Sequence, residues 1–362
     1  MRTVGVEEEL LLVDPSTGEP QALSAAVLAR AARAEPSEET FEKELHSQQL
    51  EFATHPCADM TDLGAEIVRC RQEAGRVAGE IGAAVVALAT SPVPVTPSLS
   101  TNKRYEWLAQ EFGLPVQEQL VCGCHIHVSV ESDDEAVAVL DRIRPWLSVL
   151  TALSANSPFW QGKDSLYSSY RSRVWMRWPM AGPNEPFGTA ADYHRRVDDM
   201  VATGVLLDKG MVYFDARIAE RYPTVEIRVS DVALEASTAT LLATLTRGLV
   251  ETAAREWRAG TAPADHSVEL LRLAAWRAAR SGLEGELLHP RTMRPAPAAE
   301  VVHALLEHVG PALDDSGDAD RAHKTAGDLL RHGNGARIQR QVLERTGSLG
   351  DVVTECVRRT QA

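Results

Sequence analysis

Three consecutive glutamates, Glu7, Glu8 and Glu9, interrupt the stretch VGVEEELLLVD at residues 4–14, which otherwise has the composition of a strand. Side chains alternate faces along a strand, so Glu7 and Glu9 share one face and Glu8 takes the other with Val6, Leu10 and Leu12. Two carboxylates on one face repel each other, and no lysine lies nearby in sequence to relieve them. A fold tolerates such a pair where it faces water or holds a cation. This stretch alone leaves both readings open: a solvated edge strand whose charges discourage aggregation, or one wall of a metal site.

The chain has 362 residues, enough for one large domain or two ordinary ones, and its 44% hydrophobic and 24% charged content describes a soluble globular protein. With 37 basic and 51 acidic residues the net charge is −14, which argues against a general nucleic-acid or anionic-membrane surface. An anionic substrate held locally by arginines and metal is still allowed. Five cysteines (Cys57, Cys70, Cys122, Cys124, Cys356) form an odd, scattered set without a disulfide-scaffold pattern. Glutamates stand where a signal peptide needs a basic end and an apolar core, and no apolar run reaches about 18 residues. A cytoplasmic, soluble protein is the expectation.

Further along, a turn at residues 14–18 precedes an Ala-rich helix over 24–33 and a polar loop. Residues 41–54 look extended, with Glu44 and Glu51 on opposite faces of a regular strand, so a bulge or bend is needed to bring both to one site. A helix over 61–79, with Thr61 as its N-cap, leads to an apolar stretch at 81–90 that suits a buried strand. Prolines 92, 94 and 97 then break regular structure. In VCGCHIHVSV (121–130), alternation puts His125, His127 and Ser129 on one face. Cys122 and Cys124 lack the C-x₂₋₄-C spacing of structural zinc. A helix is expected over 134–154. The long segment 154–188 is too aromatic for disorder and carries Arg171, Arg173 and Arg177, so it reads as an ordered wall. Its arginines suit a carboxylate or phosphate, or cation–π packing in a surface loop. Another helix spans 192–206 and a short strand 211–218. In TVEIRVSDV (224–232), Glu226, Arg228 and Ser230 share a face. Beyond Asp231 helical spacing dominates, through 233–259, 265–281, 298–309 and 319–345.

Four separated strands thus present Glu7/Glu9, Glu51, His125/His127 and Glu226/Arg228, which together suggest a funnel lined with carboxylates. Oxygen-rich donors favour Mg²⁺ or Mn²⁺, and Mg²⁺ commonly works with phosphate-bearing substrates. No G-x-x-x-x-G-K-[ST], G-x-G-x-x-G or H-E-x-x-H motif occurs, so metals and arginines would have to hold the phosphates.

VGVEEE, SQQLEFAT, GCHIHV, YSSYRSR and TVEIRVSD together resemble the type-2 glutamate–cysteine ligases, the bacterial carboxylate–amine ligases of the glutamine-synthetase-like superfamily. The resemblance covers roughly residues 3–250. It implies an α+β fold, with an antiparallel sheet curved into a funnel and helices packed outside, and ATP with Mg²⁺ inside. It implies Glu7, Glu9, Glu44, Glu51, His125 and Glu226 as metal ligands. Arg228 is implied at the phosphates, with Arg171 and Arg173 at phosphate or substrate carboxylate. His125 matches the metal-site histidine better than His127, because it follows the glycine in the G-x-H pattern. The expected organisation is one catalytic domain over 1–362, strand-rich to 232, with a helical region 233–362 packed on it. Expected partners are small amino-acid substrates, with neither nucleic acid nor membrane, and a homo-oligomer is allowed. A metal-dependent amidohydrolase and a catalytically silent nucleotide sensor are the rival readings.

Overall fold

A computed structural model describes residues 1–34 and 41–362. The chain runs β1 (Val4–Val13), α1 (Ser24–Ala34), β2 (Glu42–Lys43), β3 (Gln49–Ala53), α2 (Met60–Gly79), β4 (Ala84–Val86), α3 (Lys103–Phe112), α4 (Leu114–Gln117) and β5 (Gly123–Ser129). It continues through α5 (Asp133–Ile143), α6 (Leu147–Ser154), β6 (Phe159–Trp160), β7 (Lys163–Asp164), α7 (Arg171–Trp175), α8 (Ala190–Ala202), β8 (Ala216–Ile218) and β9 (Thr224–Asp231). The remainder is α9 (Ala236–Arg258), α10 (Val268–Ser281), β10 (Glu286–Leu288), β11 (Pro295–Pro297), α11 (Ala298–Ser316), α12 (Ala319–His332), α13 (Gly335–Thr346) and α14 (Leu349–Thr360).

Helices thus accompany an antiparallel sheet of order β2-β3-β1-β5-β9-β8, with β4 added to the far half of β1. The first half of β1 obeys strict alternation. Val6 and Glu8 face a core shared with Cys124, Ile126, Val128, Val225 and Ile227, covered by α2, α5 and α9. Glu8 is fully buried there, and Arg71 of α2 answers it with two hydrogen bonds of 2.8 Å. The same guanidinium donates to the carbonyls of Ala233 and Leu234, tying the sheet to the start of α9. In the second half, Leu10, Leu11, Leu12 and Val13 are all buried, because β4 and elements reaching α14 cover both faces. That is why the run loses alternation after Glu9.

Several expectations change. Residues 41–54 are not one extended segment: β2 and β3 form a hairpin with Glu42 opposite Glu51, and this reversal supplies the bend that Glu44 needed. Asp59, not Thr61, caps α2, its carboxylate accepting the Thr61 N–H. The buried strand expected over 81–90 shrinks to three residues, and that over 211–218 to Ala216–Ile218. Pro145 divides the 134–154 helix, and Gly333 divides the 319–345 helix. The tail carries a hairpin, β10–β11, where only a proline break was expected. The loop expected after α1 lies in 35–40, outside the described residues.

One irregularity bears directly on the site. Between Cys124 and Ile126 of β5 the partner strand advances from Ser230 to Ile227, so β9 carries one extra residue. Ser230 therefore lies opposite Cys124, on the core side, instead of sharing a face with Glu226 and Arg228. Asp231 lies opposite Gly123, on the site side.

Candidate functional site

The register brings the acids together. Glu7 lies opposite His125, Glu9 opposite Glu51, and His127 opposite Glu226. Directly opposed residues share a face, so four strands contribute to one surface. Donor atoms there form three groups, Glu7–His127–Glu226, Glu7–Glu51–His125 and Glu9–Glu44–Glu51, each with its atoms within 4.8 Å of one another. Glu7 and Glu51 each belong to two groups, so the groups are continuous. Glu7 approaches His125 Nδ1 at 3.4 Å and His127 Nε2 at 3.3 Å. His127 Nδ1 is 3.0 Å from Thr224 Oγ1, which aims Nε2 inward.

Burial works to raise Glu7, Glu9, Glu51 and Glu226, and the neighbours decide the outcome. Against that burial, the His125 and His127 imidazoles hold Glu7 well below the ordinary carboxylate range. Burial is opposed at Glu226 by Arg228 and Arg217, which bring it to about 2. At the other end burial and the adjacent Glu44 push Glu9 up to about 7 and Glu51 well above its usual value. The Gly123 N–H, 2.6 Å from Glu9 Oε2, recovers only part of the loss. Burial, seconded by Arg228, pushes His125 down to about 4, so it is the neutral, metal-ligating form near pH 7.

Arginines close the cationic side. Glu226 accepts from Arg228 and, at 2.7 Å, from Arg217 Nε. Arg217 stands opposite Glu226 on β8; sequence reasoning missed it, since only the β8–β9 register reveals the pair. Arg228 and Arg171 both lie over the Trp175 ring, at 5.7 and 5.5 Å from its centroid. Arg171 passes so close to Gly123 that a β-carbon there would collide with its guanidinium, which explains a glycine in GCHIH. Buried Asp231 fixes the loop ahead of Arg171, accepting from Asn156 N, Ser157 Oγ and Ser169 Oγ at 2.7–2.8 Å. Ser157 Oγ in turn accepts the Arg171 N–H.

These groups border a cavity of about 620 Å³ whose further wall is Tyr105, Trp175, Trp178 and Tyr213. Glu7, Glu9, Glu44, Glu51, His125, Glu226 and Arg228 all line it, and His127 and Arg217 join them. Arg171 stands just behind this lining, near Glu9, whose charge it feels. Arg173 does not meet the others: it lines a separate small cavity behind Trp175. The donors fit a hard divalent cation. They are mostly carboxylates, they are clustered, and the buried Nε2 atom of His125 has no hydrogen-bond partner. Among the described residues no helix is long and apolar enough to cross a membrane.

The model of the glutamate–cysteine ligase family 2 matches residues 3–355. A Streptomyces avermitilis protein, provisionally named glutamate–cysteine ligase 2-1, is 71% identical over 361 residues, covering all of both chains. A Paenarthrobacter aurescens protein with the same provisional name is 46% identical, covering 99% of this chain and 95% of its own. Among solved structures, glutamate–cysteine ligase from Francisella tularensis, determined in complex with AMP, has a TM-score of 0.71 at 13% identity, over 99% of this chain and 88% of that one. The bifunctional glutathione synthetase of Pasteurella multocida has a TM-score of 0.73 at 15% identity, over 99% of this chain and 52% of that one, so the chain spans about half of it. At these identities the solved structures establish a shared fold. The family model and the close relatives establish more: the chain belongs to glutamate–cysteine ligase family 2, and with it to the ATP-dependent carbon–nitrogen ligases.

Proposed function

We propose that this protein joins the γ-carboxylate of L-glutamate to L-cysteine, using ATP to form an acyl phosphate that the amine then displaces. The observation that carries the reading is the continuous row of donor groups, Glu7–His127–Glu226 through Glu9–Glu44–Glu51, lining one cavity together with Arg228. A triphosphate cannot approach so many carboxylates unless cations intervene. Glu7, Glu9, Glu44, Glu51, Glu226 and the two histidines would hold Mg²⁺, or Mn²⁺ in its place. When bound, the metal supplies charge neutralisation to the phosphates and to the transferring phosphoryl group.

The chain's own residues do the rest by position. Arg228, pinned by Glu226 and backed by Trp175, presents its guanidinium to phosphoryl oxygens. Arg171 reinforces it from beside Glu9. The substrate carboxylate attacks the γ-phosphorus and ADP leaves; the amine attacks the acyl carbon and phosphate leaves. Neither step needs a covalent bond to the protein, so catalysis rests on orientation and fixed charge. The aromatic wall, with Trp178 buried and Tyr105, Trp175 and Tyr213 half-buried, limits the access of water to the acyl phosphate. The same reading takes the sheet as one side of a funnel, residues 1–362 as one catalytic unit and the cytoplasm as its place of action.

The test is ADP release by the purified protein with ATP, Mg²⁺ and L-glutamate across a panel of amines led by L-cysteine, with mass spectrometry of the product. γ-Glutamylcysteine formed in step with ADP is the expected result. ADP with another amine keeps the reaction and changes the substrate. No ADP with any pair, alongside metal-dependent amide hydrolysis, overturns the reading. Glu226→Ala is expected to abolish turnover while leaving the far-UV circular dichroism unchanged.

A further inference from the structure

Helix α10 buries one side only. Leu271, Ala274, Ala278 and Ala279 face inward, against α6 and β10. The other side carries Glu269, Leu270, Leu273, Trp276, Arg277 and Arg280, spaced by three and four residues and so aligned along one face. Leu273 is 55% exposed, and Leu270 and Trp276 are exposed beside it. Leu166, 61% exposed, extends the patch at its C-terminal end, where Arg280 donates to the Leu166 carbonyl. A lone exposed leucine is ordinary; an apolar stripe along one helix, rimmed by charge, marks a surface built to be covered. The stripe is preorganised. Trp276 Nε1 donates to Tyr167 Oη at 3.2 Å, and Arg277 lies 5.7 Å from the Trp276 ring centroid. Side chains already fixed lose little entropy on association.

The charges identify what covers it. Exposed arginines on other helices pair with acids one turn away, as Arg76 does with Glu73 and Glu80, and Arg358 with Glu355. Helix α10 instead separates its charges, with its one acid, Glu269, at the start and Arg277 and Arg280 toward the end. Neither Glu269 nor Arg277 has an ion pair among the described residues. The helix dipole favours that placement within one chain, but it does not account for the apolar residues between. Reversed and laid against itself, the face is self-complementary. Positions equidistant from Leu273 meet, 269 with 277 and 270 with 276, so acid meets base and leucine meets tryptophan. Leu273 meets its own copy. A two-fold axis brings one patch of both subunits together in this way. We propose that α10 is the interface for a second copy of this chain, the two helices antiparallel about a two-fold axis beside Leu273. A partner of uniform charge would be repelled at one end of the face. The interface goes beyond the ligase reading and stands without it, since no residue of α10 lines the donor cavity. One helix pair with Leu166 at each end lies near the lower limit of specific interfaces, so dissociation is expected in the micromolar range.

The experiment is sedimentation velocity of the full chain from about 1 to 100 µM, across which the wild type is expected to pass from monomer to dimer. Leu273→Glu sets two carboxylates face to face across the axis and should raise the dissociation constant about tenfold or more. Glu269→Arg and Arg277→Glu should each weaken the dimer about threefold or more. Combined in one chain they should restore it to within about twofold of the wild type, because the ion pair is exchanged and not lost. Leu273→Cys should give a disulfide-linked dimer on mild oxidation, which the wild type, with its cysteines buried or half-buried, should not. These substitutions sit on the water-facing side of α10, and unchanged far-UV circular dichroism checks that each monomer folds. A wild type that stays monomeric throughout overturns the proposal and leaves the face to a different protein. A dimer indifferent to Leu273→Glu places the contact elsewhere and overturns it too. Single charge variants that the double variant fails to rescue overturn the antiparallel pairing.

Discussion

Arg71→Met removes one half of a pair with no access to water: both Arg71 and Glu8 are 0% exposed. The guanidinium makes four hydrogen bonds, two to Glu8 and one each to the Ala233 and Leu234 carbonyls. Methionine fills much of the volume, so the loss is electrostatic. Stripping one partner from a buried ion pair costs about 3–5 kcal/mol, because the survivor is left desolvated and uncompensated. Glu8→Leu strands the arginine and should cost a similar amount. The double variant strands neither charge; it loses only the two carbonyl contacts, at about 1 kcal/mol each, so it should lie within about 2 kcal/mol of the wild type. Chemical denaturation of all four proteins at neutral pH closes the cycle. Because Glu8 faces away from the cavity, the folded double variant should retain Mg²⁺-dependent ADP release within a few-fold. Single variants costing less than about 1 kcal/mol, or a double variant costing the sum of both, would refute the reasoning that Glu8 is structural while its two neighbours serve the site.

Gly123→Ala drives a β-carbon into the Arg171 guanidinium and to 3.2 Å from His125 Nε2, so turnover should fall at least tenfold while stability changes by less than about 3 kcal/mol; unchanged kinetics would remove Arg171 from the mechanism. Burial and Glu44 hold Glu9 at about 7, above its value in an unfolded chain, so the metal-free site keeps a proton that a cation must displace. Mg²⁺ affinity measured by calorimetry should therefore climb with pH, by roughly tenfold per unit or more below about pH 7, because Glu51 is raised beside Glu9; a flat profile would contradict the repulsion among Glu9, Glu44 and Glu51. Trp175→Ala removes the ring under both Arg171 and Arg228; at about 0.5–1 kcal/mol per cation–π contact, KM for ATP should rise roughly 5–30-fold, and Trp175→Phe should restore part of it.

Sequence by itself determined which strands carry the chemistry. Period-two alternation depends only on local backbone geometry, so Glu7 with Glu9, and His125 with His127, could be assigned to shared faces before any pairing was known. Family motifs then marked Glu44, Glu51, Glu226 and Arg228, and all of them line one cavity. Tertiary structure decided what depends on partners distant along the chain. Arg71 lies 63 residues from Glu8, and only the packing of α2 on β1 makes that glutamate structural. Arg217 meets Glu226 through the β8–β9 register, which no local pattern encodes. The extra residue in β9 moves Ser230 to the core and Asp231 to the site, because one inserted residue reverses every face beyond it. Arg171 and Arg173 are two residues apart in one motif, yet the short helix α7 turns one toward Glu9 and the other toward Asp215. Alternation along a strand is a local property of the chain, whereas register, bulges and the facing of helices are fixed only when distant segments pack.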